Sequence, residues 1–151
     1  MYRKIRTPCI GVCSTGIGDE VCRGCKRFAH EVIDWNAYTE EQRRIIAQRR
    51  EGYLASAVRS QLYILDQPLL LAQLRHQQIR FDDRQDPYCW VFELLRAGAS
   101  QIVNPREYGV SPTNQARGLP LEEIRQRIDE DFYALSVSYY QRYVAPGIVE
   151  G

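Results

Sequence analysis

Four of the five cysteines in this chain fall within its first twenty-five residues, as Cys9-Ile-Gly-Val-Cys13 and Cys22-Arg-Gly-Cys25. Two cysteines two or three residues apart can turn both sulfurs toward one ion without straining the backbone. Two such pairs joined by a short loop complete a tetrahedral set of four thiolates. The joining loop, Ser14 to Val21, carries Gly16 and Gly18, and glycine reverses a chain at little steric cost. Gly24 lies between the last two cysteines, where a knuckle turns its amides toward the sulfurs. The spacing therefore predicts a metal site with Cys9, Cys13, Cys22 and Cys25 as ligands.

Other uses of the cysteines fit less well. Two disulfides suit a short secreted chain, but Met1-Tyr-Arg-Lys-Ile-Arg6 has basic residues with no apolar stretch after them, unlike an export signal. A thioredoxin-like redox pair needs a βαβ setting and leaves the second pair without a role. Both Zn2+ and an iron–sulfur cluster accept four thiolates. Cluster spacings are usually a compact run of three cysteines with a distant fourth, so spacing favours zinc.

Thr7-Pro-Cys-Ile-Gly-Val-Cys13, Gly18-Asp-Glu-Val-Cys-Arg-Gly-Cys-Lys-Arg27, Trp35 and Thr39-Glu-Glu-Gln-Arg-Arg44 together resemble the bacterial family known as domain of unknown function 1289. The resemblance covers about the first fifty-five residues. Its members are commonly described as iron–sulfur proteins. It implies Cys9, Cys13, Cys22 and Cys25 as ligands, brings an iron–sulfur cluster alongside zinc as the cofactor, and implies no reaction.

At 151 residues, 44% hydrophobic and 26% charged, the chain has the composition of a soluble globular protein with room for a small metal module and a helical body. No apolar run is long enough to span a bilayer, so no membrane role is expected. Reduced cysteines without an export signal point to the cytoplasm. The net charge of +1 favours no class of partner. Its distribution is uneven, with a basic excess over residues 1–60 and an acidic excess over 61–151.

Along the chain, residues 1–8 read as a basic arm and 9–25 as the knuckles. Lys26 to Trp35 reads as a short helix with Phe28, Val32 and Trp35 on one face. Thr39-Glu-Glu-Gln42 fits a capping box. It opens a long helix carried past Gly52 by Leu54, Val58, Leu62 and Leu65, and ending at Asp66-Gln67. Pro68 sits in the first turn of the next helix, which runs to about Phe81, and Asp86-Pro87 starts another that reaches about residue 97. Residues 99–119 read as a connector pinned by Ile102, Val103 and Tyr108, with no strand. Pro120 starts the last helix, patterned by Ile124, Ile128, Phe132, Leu135, Tyr139 and Tyr143 and ended by Ala145-Pro-Gly147.

The remaining candidates carry little chemistry. Cys89, between Tyr88 and Trp90, reads as a buried structural thiol. His30 and His76 have no nucleophile near them in sequence, and the acidic runs at Asp82-Asp83, Glu122-Glu123 and Asp129-Glu-Asp131 read as solvated faces. Arg23, Lys26, Arg27, Arg43, Arg44, Arg49 and Arg50 form the one basic concentration, with Glu40, Glu41 and Glu51 nearby to pair with it.

The expected fold is mainly α. A four-cysteine module over 1–55 precedes a body of four or five helices over 56–151. The expected function is that of a non-enzymatic cytoplasmic metal-binding protein, whose one Zn2+ or one iron–sulfur cluster holds a module that contacts a protein partner. Two alternatives stay open. One is an iron–sulfur protein with an electron-transfer or redox-sensing role. The other is a nucleic-acid-binding module using the basic face of residues 23–50.

Overall fold

Thr39 caps the longest helix as its sequence requires. Its hydroxyl accepts from Gln42 N at 3.1 Å, and its own N–H donates to Gln42 Oε1 at 2.8 Å. The computed structural model describes residues 7–10 and 13–149. Residues 1–6 of the basic arm expected at 1–8, and Gly11 and Val12 inside the first cysteine pair, lie outside the described residues. The protein is mainly helical: α1 is Ala29–Asp34, α2 Glu40–Gln61, α3 Gln67–His76, α4 Pro87–Gly98, α5 Leu121–Tyr139 and α6 Ala145–Val149. None of the described helices is long and apolar enough to cross a membrane.

The chain divides into two compact units, one of residues 1–53 with 132–151 and the other of 54–131. Helices α2 and α5 each give residues to both.

In the 54–131 unit, α2 stops at Gln61 instead of running on to Asp66. Residues Leu62–Ile64 form β1, antiparallel to β2 at Val110–Pro112, with Leu62 opposite Pro112 and Ile64 opposite Val110. Tyr63 and Ile64 favour extended backbone, and the partner strand comes from the segment expected to be a plain connector. Leu65 N and Asp66 N both donate to Gly109 O. Asp66 then caps α3 by accepting from Leu69 N, and Asp86 caps α4 by accepting from Tyr88 N at 2.9 Å. The core of this unit includes Val58, Leu62, Leu70, Leu74, Val91, Leu94, Val110, Ile124 and Ile128. Val103, an expected anchor, is instead 97% exposed.

In the other unit, the buried positions late in α5 and just beyond are Phe132, Ser136 and Tyr140, whereas Tyr143 is exposed. A strict four-residue step follows one face of a helix with a slow drift. The expected run through Leu135 and Tyr143 misses that face. Ala145-Pro-Gly147 does not end the helix either. A π-turn over Tyr140–Val144 precedes α6. A proline ring clashes with the carbonyl four residues back and lacks an N–H, and widening the turn before Pro146 accommodates both. Val21, Phe28 and Tyr140 form the buried apolar cluster here, with Tyr133, Val137 and Tyr139 packed against it.

Candidate metal centre

The second cysteine pair sits at the tip of a tight hairpin. Val21 pairs with Phe28 in an antiparallel bridge, and Ala29 N donates to Glu20 O at 2.8 Å. Inside this bridge Cys22 N donates to Arg27 O at 2.9 Å, and Lys26 N donates to Cys22 O at 2.8 Å. The reversal forces Lys26 into the left-handed region at φ 62°. That conformation costs a residue with a β-carbon about 1–2 kcal/mol. The expected glycine turns are only partly used. Gly18 takes φ 103° at the end of the Ser14–Ile17 turn, while the positive angle at the cysteines falls on Lys26, not on Gly24.

Polar groups surround the two buried sulfurs of this hairpin. Cys22 and Cys25 are 1% and 2% exposed. Burial pushes the Cys22 thiol up. The N–H groups of Cys25, Ser14 and Gly24, with a hydrogen bond from the Cys25 side chain, outweigh it and lower the thiol to about 7. Arg27 Nε donates to Cys25 Sγ at 3.2 Å in a buried bond, and Arg50 Nε donates to Cys25 O at 2.6 Å. Hydrogen bonds to a sulfur favour its thiolate, and at Cys22 they do so here.

Buried Ser14 ties the loop to the hairpin, its hydroxyl accepting from Arg23 N at 2.8 Å. Glu31, in α1, accepts from Phe28 N at 2.9 Å. It also takes both terminal nitrogens of Arg49, at 2.6 and 2.7 Å. The Arg49 guanidinium lies 4.1 Å above the Phe28 ring.

The first cysteine pair is placed differently. Cys9 and Cys13 are exposed, and Cys13 Sγ lies 3.0 Å from Thr15 Oγ1. The structure thus brings Cys22 and Cys25 together and does not gather all four sulfurs. Among the described residues no group of three or more His, Cys, Asp or Glu side chains is placed to hold one metal ion. His30 is exposed beside Phe28, His76 is exposed, and Cys89 is buried.

Residues 7–52 match the family described as Protein of unknown function (DUF1289). No curated protein and no solved structure matches the chain. The DUF1289 segment holds both cysteine pairs, Trp35 and the Thr39 cap, and residues from 53 onward lie outside it.

The basic residues of the DUF1289 segment are largely engaged within their own unit. Lys26 and Arg27 are buried. Arg43 donates to Trp35 O, Asn36 O and Glu40, and Arg44 pairs with Glu41. Arg23 pairs with Asp19 and lies over Tyr133. Ser14 and Tyr140 are residues that spacing did not point to, whereas Arg27 and Arg50 were counted only in the basic concentration. Arg27 had a signal, standing two places after Cys25. Tyr140 had none, since nothing in its own helix announces a distant partner.

Proposed function

We propose that the DUF1289 segment is a metal-binding module. It holds one Zn2+ or one iron–sulfur cluster through Cys9, Cys13, Cys22 and Cys25, in a non-enzymatic cytoplasmic protein whose module contacts a protein partner. The observation that carries this reading is the Cys22–Cys25 hairpin. Two buried sulfurs share one turn, three backbone N–H groups point at Cys22, and a guanidinium N–H points at Cys25. Groups that favour the charged form of Cys22 suit a metal ligand. The donor set suits either cofactor, since both are bound by thiolates. When bound, the metal supplies a cross-link that a short segment with a small core lacks.

In this reading Cys22 and Cys25 are the preformed half of the site. Cys9 and Cys13, accessible in the structure, close over the ion as the second half. The contacts made by Arg43 and Arg49 within their unit lend no support to a phosphate-binding face.

The test is metal analysis of the full chain purified without oxygen. One zinc per chain in colourless protein assigns Zn2+, and iron with acid-labile sulfide in brown protein assigns a cluster. Cys22→Ser removes a ligand and is expected to abolish stoichiometric binding, while Cys89→Ser leaves metal content unchanged. Protein with reduced cysteines that takes up neither zinc nor iron refutes the proposal.

A further inference from the structure

Arg27 is 3% exposed, and its guanidinium makes two contacts: Nε donates to Cys25 Sγ at 3.2 Å, and the group lies 4.9 Å from the Trp35 ring. Among the described residues it has no carboxylate partner. A guanidinium does not lose its proton in a protein, so this is a permanent buried charge. Buried charges persist where an opposite charge compensates them. The contrast lies in the same unit, where Arg49 is held by both oxygens of Glu31. Among the described residues, the one group touching Arg27 that can carry a full negative charge is the Cys25 sulfur.

Four thiolates around one divalent ion leave a doubly negative site, and a four-thiolate iron–sulfur cluster is likewise anionic. We infer that Arg27 is the charge-balancing residue of the metal site. It makes the chain more stable with the sulfurs ionised and metal-bound than with them neutral, and so sets how tightly the metal is held. This rests on the metal-binding reading above and assigns a role within it. The Nε–H fixes the direction of the Cys25 lone pair and draws off part of its charge, as groups behind a metal ligand do elsewhere. The Trp35 face holds the guanidinium in place through a cation–π contact. Arg50, donating to Cys25 O at 2.6 Å, fixes the backbone of the same ligand, so the sulfur has little freedom to turn away.

A merely structural arginine and a charge-balancing one differ in sign when the metal is absent. Arg27→Met removes the charge but keeps much of the length and apolar bulk. In the metal-free chain this takes away an uncompensated buried cation, so stability in urea is expected to stay level or rise. In the metal-bound chain it takes away the counter-charge, so affinity is expected to fall by about 10–100-fold, the range for groups behind a metal ligand. Arg27→Lys keeps the charge and is expected to lose distinctly less.

The experiment titrates Zn2+ into the reduced, metal-free full-length chain and both variants, without oxygen, against a chromophoric chelator, and follows urea unfolding of the same metal-free samples. Arg27→Met with unchanged Zn2+ affinity overturns the role of Arg27 and leaves the metal site standing. Equal losses in Arg27→Met and Arg27→Lys overturn it too, because charge is then not the cause. If Arg27→Met fails to fold, circular dichroism shows it, and Arg27→Lys decides: near wild-type affinity upholds the role, and a loss of 100-fold or more overturns it. A wild-type chain that takes up no Zn2+ in this assay overturns the metal reading, and the role of Arg27 with it.

Discussion

Replacing Glu31 with alanine removes one acceptor from three N–H donors at once. Phe28 N, Arg49 Nη1 and Arg49 Nη2 lie 2.9, 2.7 and 2.6 Å from its oxygens. The two charged side chains are 6% and 15% exposed, so water reaches neither freely. Removing one partner of a buried ion pair costs about 3–5 kcal/mol, and an orphaned backbone N–H costs about 1–3 kcal/mol more. The Arg49 guanidinium keeps its place 4.1 Å above Phe28 and a narrow opening to solvent, which offset part of this. The expected net loss is about 4 kcal/mol, a large fraction of the 5–15 kcal/mol of a typical domain. Urea unfolding of the reduced chain, followed by far-UV circular dichroism, measures it. Arg49→Met in the Glu31→Ala background should then cost little further, giving a coupling of about 2–3 kcal/mol in a double-mutant cycle. A loss under about 1 kcal/mol for Glu31→Ala, or strict additivity with Arg49→Met, refutes the account of Glu31 and Arg49 as a coupled buried pair.

Gly109 has φ 77°, and a β-carbon there would meet the carbonyl oxygen of Asp66. Gly109→Ala is therefore expected to cost about 3 kcal/mol in thermal or urea unfolding, combining left-handed strain with a backbone clash. Tyr140→Ala empties the cluster with Val21 and Phe28. It is expected to cost about 3–4 kcal/mol and to speed metal loss to a chelator. Burial raises the phenols of Tyr38, Tyr53 and Tyr140 above the ordinary 10.0. Their raised folded-state values favour the folded chain below pH 10, and that contribution is lost as pH climbs through them. Phenolate absorbance in the native protein should show a late-titrating group of tyrosines that merges with the rest once urea unfolds the chain.

Local chemistry was legible in the sequence wherever a device closes over a few residues. The Thr39–Gln42 box, the Asp86–Pro87 start and the Cys22–Cys25 turn all depend on neighbours within four positions. What was not legible depends on distant partners. Leu62 and Leu65 continue a helical spacing, yet residues 62–64 pair with Val110–Pro112, which no local pattern announces. Phe132 continues the helix of Ile124 and Ile128 and Tyr140 lies just beyond it, yet both belong to the unit of the amino-terminal segment, where Tyr140 packs with Val21 and Phe28. At the candidate metal centre the closeness of Cys22 and Cys25 was readable from spacing, while the proposed role of Arg27 needed its burial to be seen.

The amino-terminal unit is assembled from two stretches that the ribosome makes far apart in time. At about 5–20 residues per second, roughly 4–16 s pass between the appearance of Tyr53 and that of Phe132. Throughout that interval Val21 and Phe28, which bracket the hairpin carrying Cys22 and Cys25, have no Tyr140 packed on them. On the metal-binding proposal, a metal donor present then meets the sulfurs before the carboxy-terminal stretch of the unit is made. One that arrives later meets, in the complete unit, a pair 1% and 2% exposed. A chain synthesised in metal-depleted cells and offered metal afterwards tests whether the late route alone fills the proposed site.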